Sequence, residues 1–96
     1  MRHCFLVCYD IRDAKRLRKV FKIMKGFGEH WQYSIFFCVL APIDRVRIQV
    51  ELEEVLNLRE DQVLIIDLGE NEPAARAAAI AIGQSKPEPL EGTVII

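Results

Sequence analysis

The 96-residue chain lacks any apolar run long enough to span a bilayer and any secretory leader, since Met1-Arg2-His3 leads directly into strand-like sequence. Membrane insertion and export are therefore not expected, and a cytoplasmic protein is. Histidine is scarce: His3 and His30 have no clustered partners at ligand spacing, which disfavours zinc. Cys4, Cys8 and Cys38 are odd in number, each sits inside an apolar run, and none forms a Cys-x-x-Cys pair. They read as reduced core residues rather than a disulfide framework. There is no internal repeat and no low-complexity tract beyond the alanines near residue 78. Nor is there an excess of positive charge: the net charge of -1 argues against a general nucleic-acid binder. What the chain does hold is 51% apolar residues, ample for one packed domain.

The even balance hides an asymmetry. Residues 11 to 25 carry seven Lys and Arg against one acid, and the other positions carry six against thirteen. Just before that basic segment, Phe5-Leu-Val-Cys-Tyr-Asp10 runs five uncharged residues into one carboxylate. A buried strand that delivers an acid beside a basic helix can hold a divalent metal and then a phosphodiester. The blander readings are that a charge run is a solvated helix face and that an Asp after a strand caps the next turn or helix.

Positions 3 to 10 are apolar on both alternating faces, so the first strand should be covered on both sides. Asp13 is a good N-cap for a helix running to Gly26 or Gly28, with Leu17, Val20, Phe21 and Met24 as its core stripe. Lys15, Arg18, Lys22 and Lys25 recur along another side, flanked by Arg16 and Lys19. Trp31 to Leu40 is strand material. Pro42 opens a second helix to about Leu56, with a broad apolar side made by Ile43, Val46, Ile48, Val50, Leu52, Val55 and Leu56. Asn57 to Asp61 is a polar connection, and Gln62 to Leu68 a further strand ended by Gly69. Ala74 to Ile82 suits a short helix, residues 84 to 92 an extended proline-bearing linker, and Thr93, Val94, Ile95 and Ile96 a final short strand.

This order predicts an α+β ferredoxin-like sandwich (βαββαβ) over residues 1 to 83, with residues 84 to 96 as linker and extra C-terminal strand. The fold requires a reversal inside the Trp31 region. None of the usual turn residues marks one, and a tight reversal near Gln32 to Ser34, with its first strand starting around Glu29, is expected. Two helices cover only one sheet face, yet the strands are apolar on both. A homodimer stacking sheet against sheet would cover the second, with Thr93 to Ile96 pairing onto the partner chain.

Three segments together resemble the small CRISPR-associated endoribonuclease family, protein two of the CRISPR adaptation machinery. They are Val7-Cys-Tyr-Asp-Ile11 with its following Arg/Lys helix, Gly28 to Leu40 containing Gln32-Tyr-Ser-Ile-Phe36, and a late strand ending Asp67-Leu-Gly69. The resemblance implies a homodimeric sandwich in antiviral defence. It also implies an aspartate, here Asp10, placed at the dimer interface so that two copies hold one Mg²⁺ or Mn²⁺, and a nucleic-acid role for basic residues matching Arg16 and Arg18. Family members often carry Arg before the Gln-x-Ser-Val-Phe segment and Glu after it. His30 or Trp31, and Phe37, stand there in this chain, so no role of that Arg or Glu transfers.

On this reading Asp10 of each chain is the catalytic and metal-binding residue of an endonuclease acting on RNA, double-stranded DNA or both. Arg12, Lys15, Arg16, Arg18, Lys19 and Lys22 would then hold the flanking phosphates. The alternative is a non-catalytic dimeric adaptor that bridges the CRISPR integrase, protein one, and binds protospacer DNA, with Thr93 to Ile96 as the docking strand. An unrelated ferredoxin-like RNA-binding module is disfavoured, because the strands lack its aromatic and glycine pattern. Tyr9, Tyr33 and Trp31 could stack on bases, but core or interface packing suits their apolar surroundings better.

Overall fold

The first strand, β1 (His3–Asp10), is apolar on both alternating faces. In a computed structural model of the chain, which describes residues 1–83, one of its faces is packed by helices, whereas the cover expected on the other is present, among those residues, at one end. β1 pairs antiparallel with β3 (Ile35–Leu40) on one side and β4 (Gln62–Gly69) on the other; β2 (Glu29–Gln32) lies outside β3, giving the order β2-β3-β1-β4. Helices α1 (Ala14–Lys25) and α2 (Pro42–Val55) complete a βαββαβ sandwich, and a short α3 (Glu72–Ala77) follows. The expected fold is observed. Residues 84 to 96, including the expected strand Thr93 to Ile96, lie outside the described residues.

Register assigns the two faces. Phe5, Val7 and Tyr9 of β1 join Phe36, Cys38 and Leu40 of β3 against Val20 and Met24 of α1 and Ile48 and Leu52 of α2. Cys4, Leu6, Cys8 and Asp10 point to the opposite face, where Leu6 is flanked by Phe37 and Ile66, and Cys8 by Ile35 and Leu64. There α3 covers one end, packing Ala75 on Cys4 and Phe37. The Arg76 guanidinium lies 4.5 Å from the Phe37 ring centroid, and Trp31 stacks on the same ring at 4.9 Å. Among the described residues the rest of that face is largely open: Leu6 and Cys8 are half-buried, and Leu64 is 49% and Ile66 43% exposed.

Local chemistry explains the boundaries. Asp13 accepts from the Arg16 N–H at 3.0 Å and starts α1. Gly26 closes it, and Gly28 is demanded by close approach, since a Cβ there would lie 2.4 Å from Cys38 Sγ and 2.7 Å from the Phe37 carbonyl oxygen. The β2–β3 reversal is a two-residue link, Tyr33 and Ser34, in which Tyr33 takes the positive φ of 30° usually left to Gly or Asn. Two expectations are corrected. The short helix spans Glu72–Ala77 rather than Ala74 to Ile82, because Asn71 caps it at Ala74 N–H and Pro73 fits its first turn. The apolar side of α2 is narrower than expected: Ile48 and Leu52 are buried, whereas Ile43, Val46 and Val50 lie along the outer side, exposed.

Candidate functional site

Asp10 is the last residue of β1, beside Gln62 at the start of β4. Strand alternation puts it on the open face with Leu6 and Cys8, and its side chain is 69% exposed. It does not cap α1, because Asp13 does that. Its one ion-pair neighbour among the described residues is Arg12, whose Nη2 lies 3.6 Å from Oδ2. Asp10 thus stands as an accessible, weakly engaged carboxylate at the end of a rigid central strand. That is the state a hard-cation ligand must be in before the cation arrives.

The turn behind Asp10 is held from below by a residue that pattern reading left in a polar connection. The Asp61 side chain has 0% exposure, yet both its oxygens are doubly satisfied. Oδ1 accepts from the Arg12 backbone N–H at 3.0 Å and from Arg16 Nη2 at 3.2 Å; Oδ2 accepts from Arg16 Nε at 2.8 Å and from the Asn57 backbone N–H at 2.9 Å. The Arg16 guanidinium, followed by these backbone donors, holds the Asp61 carboxyl well below the usual carboxylate range. Arg16 also donates to Glu60 at 3.0 Å, and its side chain is 23% exposed. The only sequence signal for Asp61 was an acid just ahead of a strand, four residues after Asn57.

The remaining basic residues differ in kind. Lys15, Arg18, Lys19 and Lys22 are exposed and enter no ion pair among the described residues, and their three- and four-residue spacing lines them along one side of α1. Lys25 sits over the Phe21 ring at 5.8 Å. Tyr9 is core: it packs on Phe36, and burial pushes its phenol up to about 12, which removes it from proton transfer near neutrality. Trp31 donates its indole N–H to Glu29 at 2.9 Å and stacks on Phe37, so it too is a packing residue. Burial raises all three thiols, Cys38 to about 11, as expected of unreactive cysteines. Asp67 accepts from the Gly69 N–H at 2.8 Å and lies 3.0 Å from His3 Nδ1, at the far end of β4 from Asp10.

No group of three or more His, Cys, Asp or Glu able to hold a metal occurs among the described residues. The donor chemistry at Asp10 fits a hard cation such as Mg²⁺ or Mn²⁺, but the described residues of one chain bring a single carboxylate there. A site with two protein ligands therefore needs two copies of the open face.

Residues 1–75 match the family model described as CRISPR associated protein Cas2. The chain is 38% identical over 96 residues, covering 100% of both proteins, to a CRISPR-associated endoribonuclease Cas2 of Geobacter sulfurreducens. It is 37% identical over 91 residues, 95% of this chain and 97% of the relative, to a second such protein from Thermodesulfovibrio yellowstonii. Among solved structures, Streptococcus pyogenes Cas2 superposes with a TM-score of 0.75 at 28% identity, covering 83% of this chain and 99% of that one.

Proposed function

The chain belongs to the CRISPR-associated Cas2 family, and on that footing we propose that it is a divalent-metal-dependent endonuclease of CRISPR adaptation whose catalytic residue is Asp10. The carrying observation is that Asp10, exposed and paired among the described residues only with Arg12, ends the central strand on the sheet face that α1 and α2 do not cover. Leu64 and Ile66 make the neighbouring surface apolar, which supports closure of this face by a second copy in a two-fold homodimer. Two Asp10 carboxylates then face each other.

What Mg²⁺ or Mn²⁺ supplies there when bound is charge to offset carboxylate repulsion, polarisation of a phosphoryl oxygen and acidification of water. The protein's part is positional. The Asp10 backbone is fixed by its pairing with Gln62 in the β4 ladder, the β3 ladder ending two residues earlier at Cys8, so the carboxylate needs little reorganisation. Arg12 is the nearest cation, and once Asp10 is neutralised its guanidinium is released to take a phosphate oxygen. Lys15, Arg18, Lys19 and Lys22 supply a row of charges for the flanking phosphates, RNA or duplex DNA alike.

The test is cleavage of labelled single-stranded RNA and duplex DNA by the purified protein, with Mg²⁺, Mn²⁺ or chelator, beside Asp10→Ala. Cleavage that requires the metal and is lost in a variant of unchanged mass and thermal midpoint is expected. Equal cleavage by that variant would remove Asp10 from the chemistry.

A second reading is favoured by Lys15, Arg18, Lys19 and Lys22, which enter no ion pair among the described residues, and by the single carboxylate each chain brings at Asp10: a non-catalytic dimeric adaptor that bridges the CRISPR integrase and holds protospacer DNA. Salt-sensitive DNA binding by a wild type that cleaves nothing would select it.

A further inference from the structure

Arg16 and Asp61 differ from every other charged pair described. The Asp61 side chain has no exposed surface, and its four accepted hydrogen bonds come from three separate places: the Arg12 N–H in the turn after β1, the Arg16 guanidinium in the first turn of α1, and the Asn57 N–H in the loop before β4. Asp61 is followed directly by Gln62, which pairs with Asp10 in the ladder. The pair therefore ties the turn that presents Arg12 to the strand that flanks Asp10. A guanidinium that uses Nε and Nη2 on Asp61, and Nη2 again on Glu60, has given up its forked face and cannot also grip a phosphate through it. Lys15, Arg18, Lys19 and Lys22, the exposed cations of α1, carry no such engagement among the described residues.

We propose that Asp61 and Arg16 form an internal latch that positions the Asp10–Arg12 turn, and that Arg16 is a positioning residue rather than a nucleic-acid contact. The catalytic consequence rests on the nuclease reading; the latch itself does not. Without it the Arg12 N–H loses its acceptor, the turn gains freedom, and the guanidinium beside Asp10 drifts.

The test uses the full chain as wild type, Asp61→Asn, Arg16→Gln, Lys19→Gln and the double variant Asp61→Asn/Arg16→Gln. The double variant leaves no enclosed charge unpaired, and so keeps the experiment informative if a single variant unfolds. Hydrogen exchange at the Arg12 amide should quicken by about tenfold or more in every Asp61 or Arg16 variant that folds. In duplex-DNA or RNA binding, Arg16→Gln should keep the wild-type slope of log K against log salt, whereas Lys19→Gln should reduce it by about 0.7–0.9. Single-turnover cleavage should fall roughly 10- to 100-fold in Asp61→Asn, with the KM changed less than about twofold. An unchanged Arg12 exchange rate in Asp61→Asn, or a slope lowered by Arg16→Gln as much as by Lys19→Gln, would overturn the latch. A wild type without cleavage would instead defeat the nuclease reading, and exchange and salt slope would still decide the latch.

Discussion

Burial divides the charged residues into those that build and those that can act. Asp10 and Arg12 meet at 3.6 Å with both side chains well exposed, a geometry that contributes little stability and leaves the carboxylate free for another partner. Asp61 is the reverse case. Because its folded-state carboxyl titrates well below an ordinary one, its contribution to stability is complete above about pH 4 and is lost as pH falls from there toward the lowered value. Asp61→Asn should accordingly melt about 4–8 °C below wild type at neutral pH, and the gap should narrow as the melts are repeated at lower pH. A gap that stays constant down to acid would mean that Asp61 carries no linked charge. Asp10 was legible in the sequence because a carboxylate ending an apolar strand ahead of a basic helix stands out by position alone. Asp61 was not, because its role is created by contacts with Arg12 and Arg16, 49 and 45 residues away, which no local pattern encodes.

At the level of elements, the strands and the two long helices follow from features the chain displays locally: the Asp13 cap, the Leu17, Val20, Phe21 and Met24 stripe, and Pro42 at the start of α2. The β2–β3 reversal was foreseen from the needs of the fold and not from turn residues. Its physical reason is Tyr33, held at positive φ where the usual turn residues are missing, with His30 Nε2 on its carbonyl oxygen at 2.8 Å. α2 misled because Ile43, Val46 and Val50 share the composition of a core stripe but lie on the side away from the sheet, where only tertiary packing could distinguish them. Gly28 marks the tightest contact between the end of α1 and β3. Gly28→Ala, forced against the Phe37 carbonyl and Cys38, should cost about 1–3 kcal/mol in urea unfolding. A neutral result would show that this approach relaxes freely.

At the scale of the whole molecule the governing fact is a sheet with one face packed by helices and the other, among the described residues, capped at one end by α3. Leu64 and Ile66, next to Leu6 and Cys8, form the surface a second copy would cover. Ile66→Lys should therefore shift sedimentation from dimer to monomer and remove metal-dependent cleavage together, because a monomer holds one Asp10. A monomeric variant that still cleaves would separate activity from assembly. The charge row of α1 adds affinity without choosing a sequence, so binding should weaken steeply with salt for RNA and DNA alike. The most direct test of the shared carboxylate pair is cleavage by dimers reassembled from equal amounts of wild type and Asp10→Asn. If both aspartates of a dimer are required, the rate per total protein falls to about one quarter of wild type, the share of dimers with two intact sites; a rate of about one half would show each Asp10 acting alone and would contradict the account.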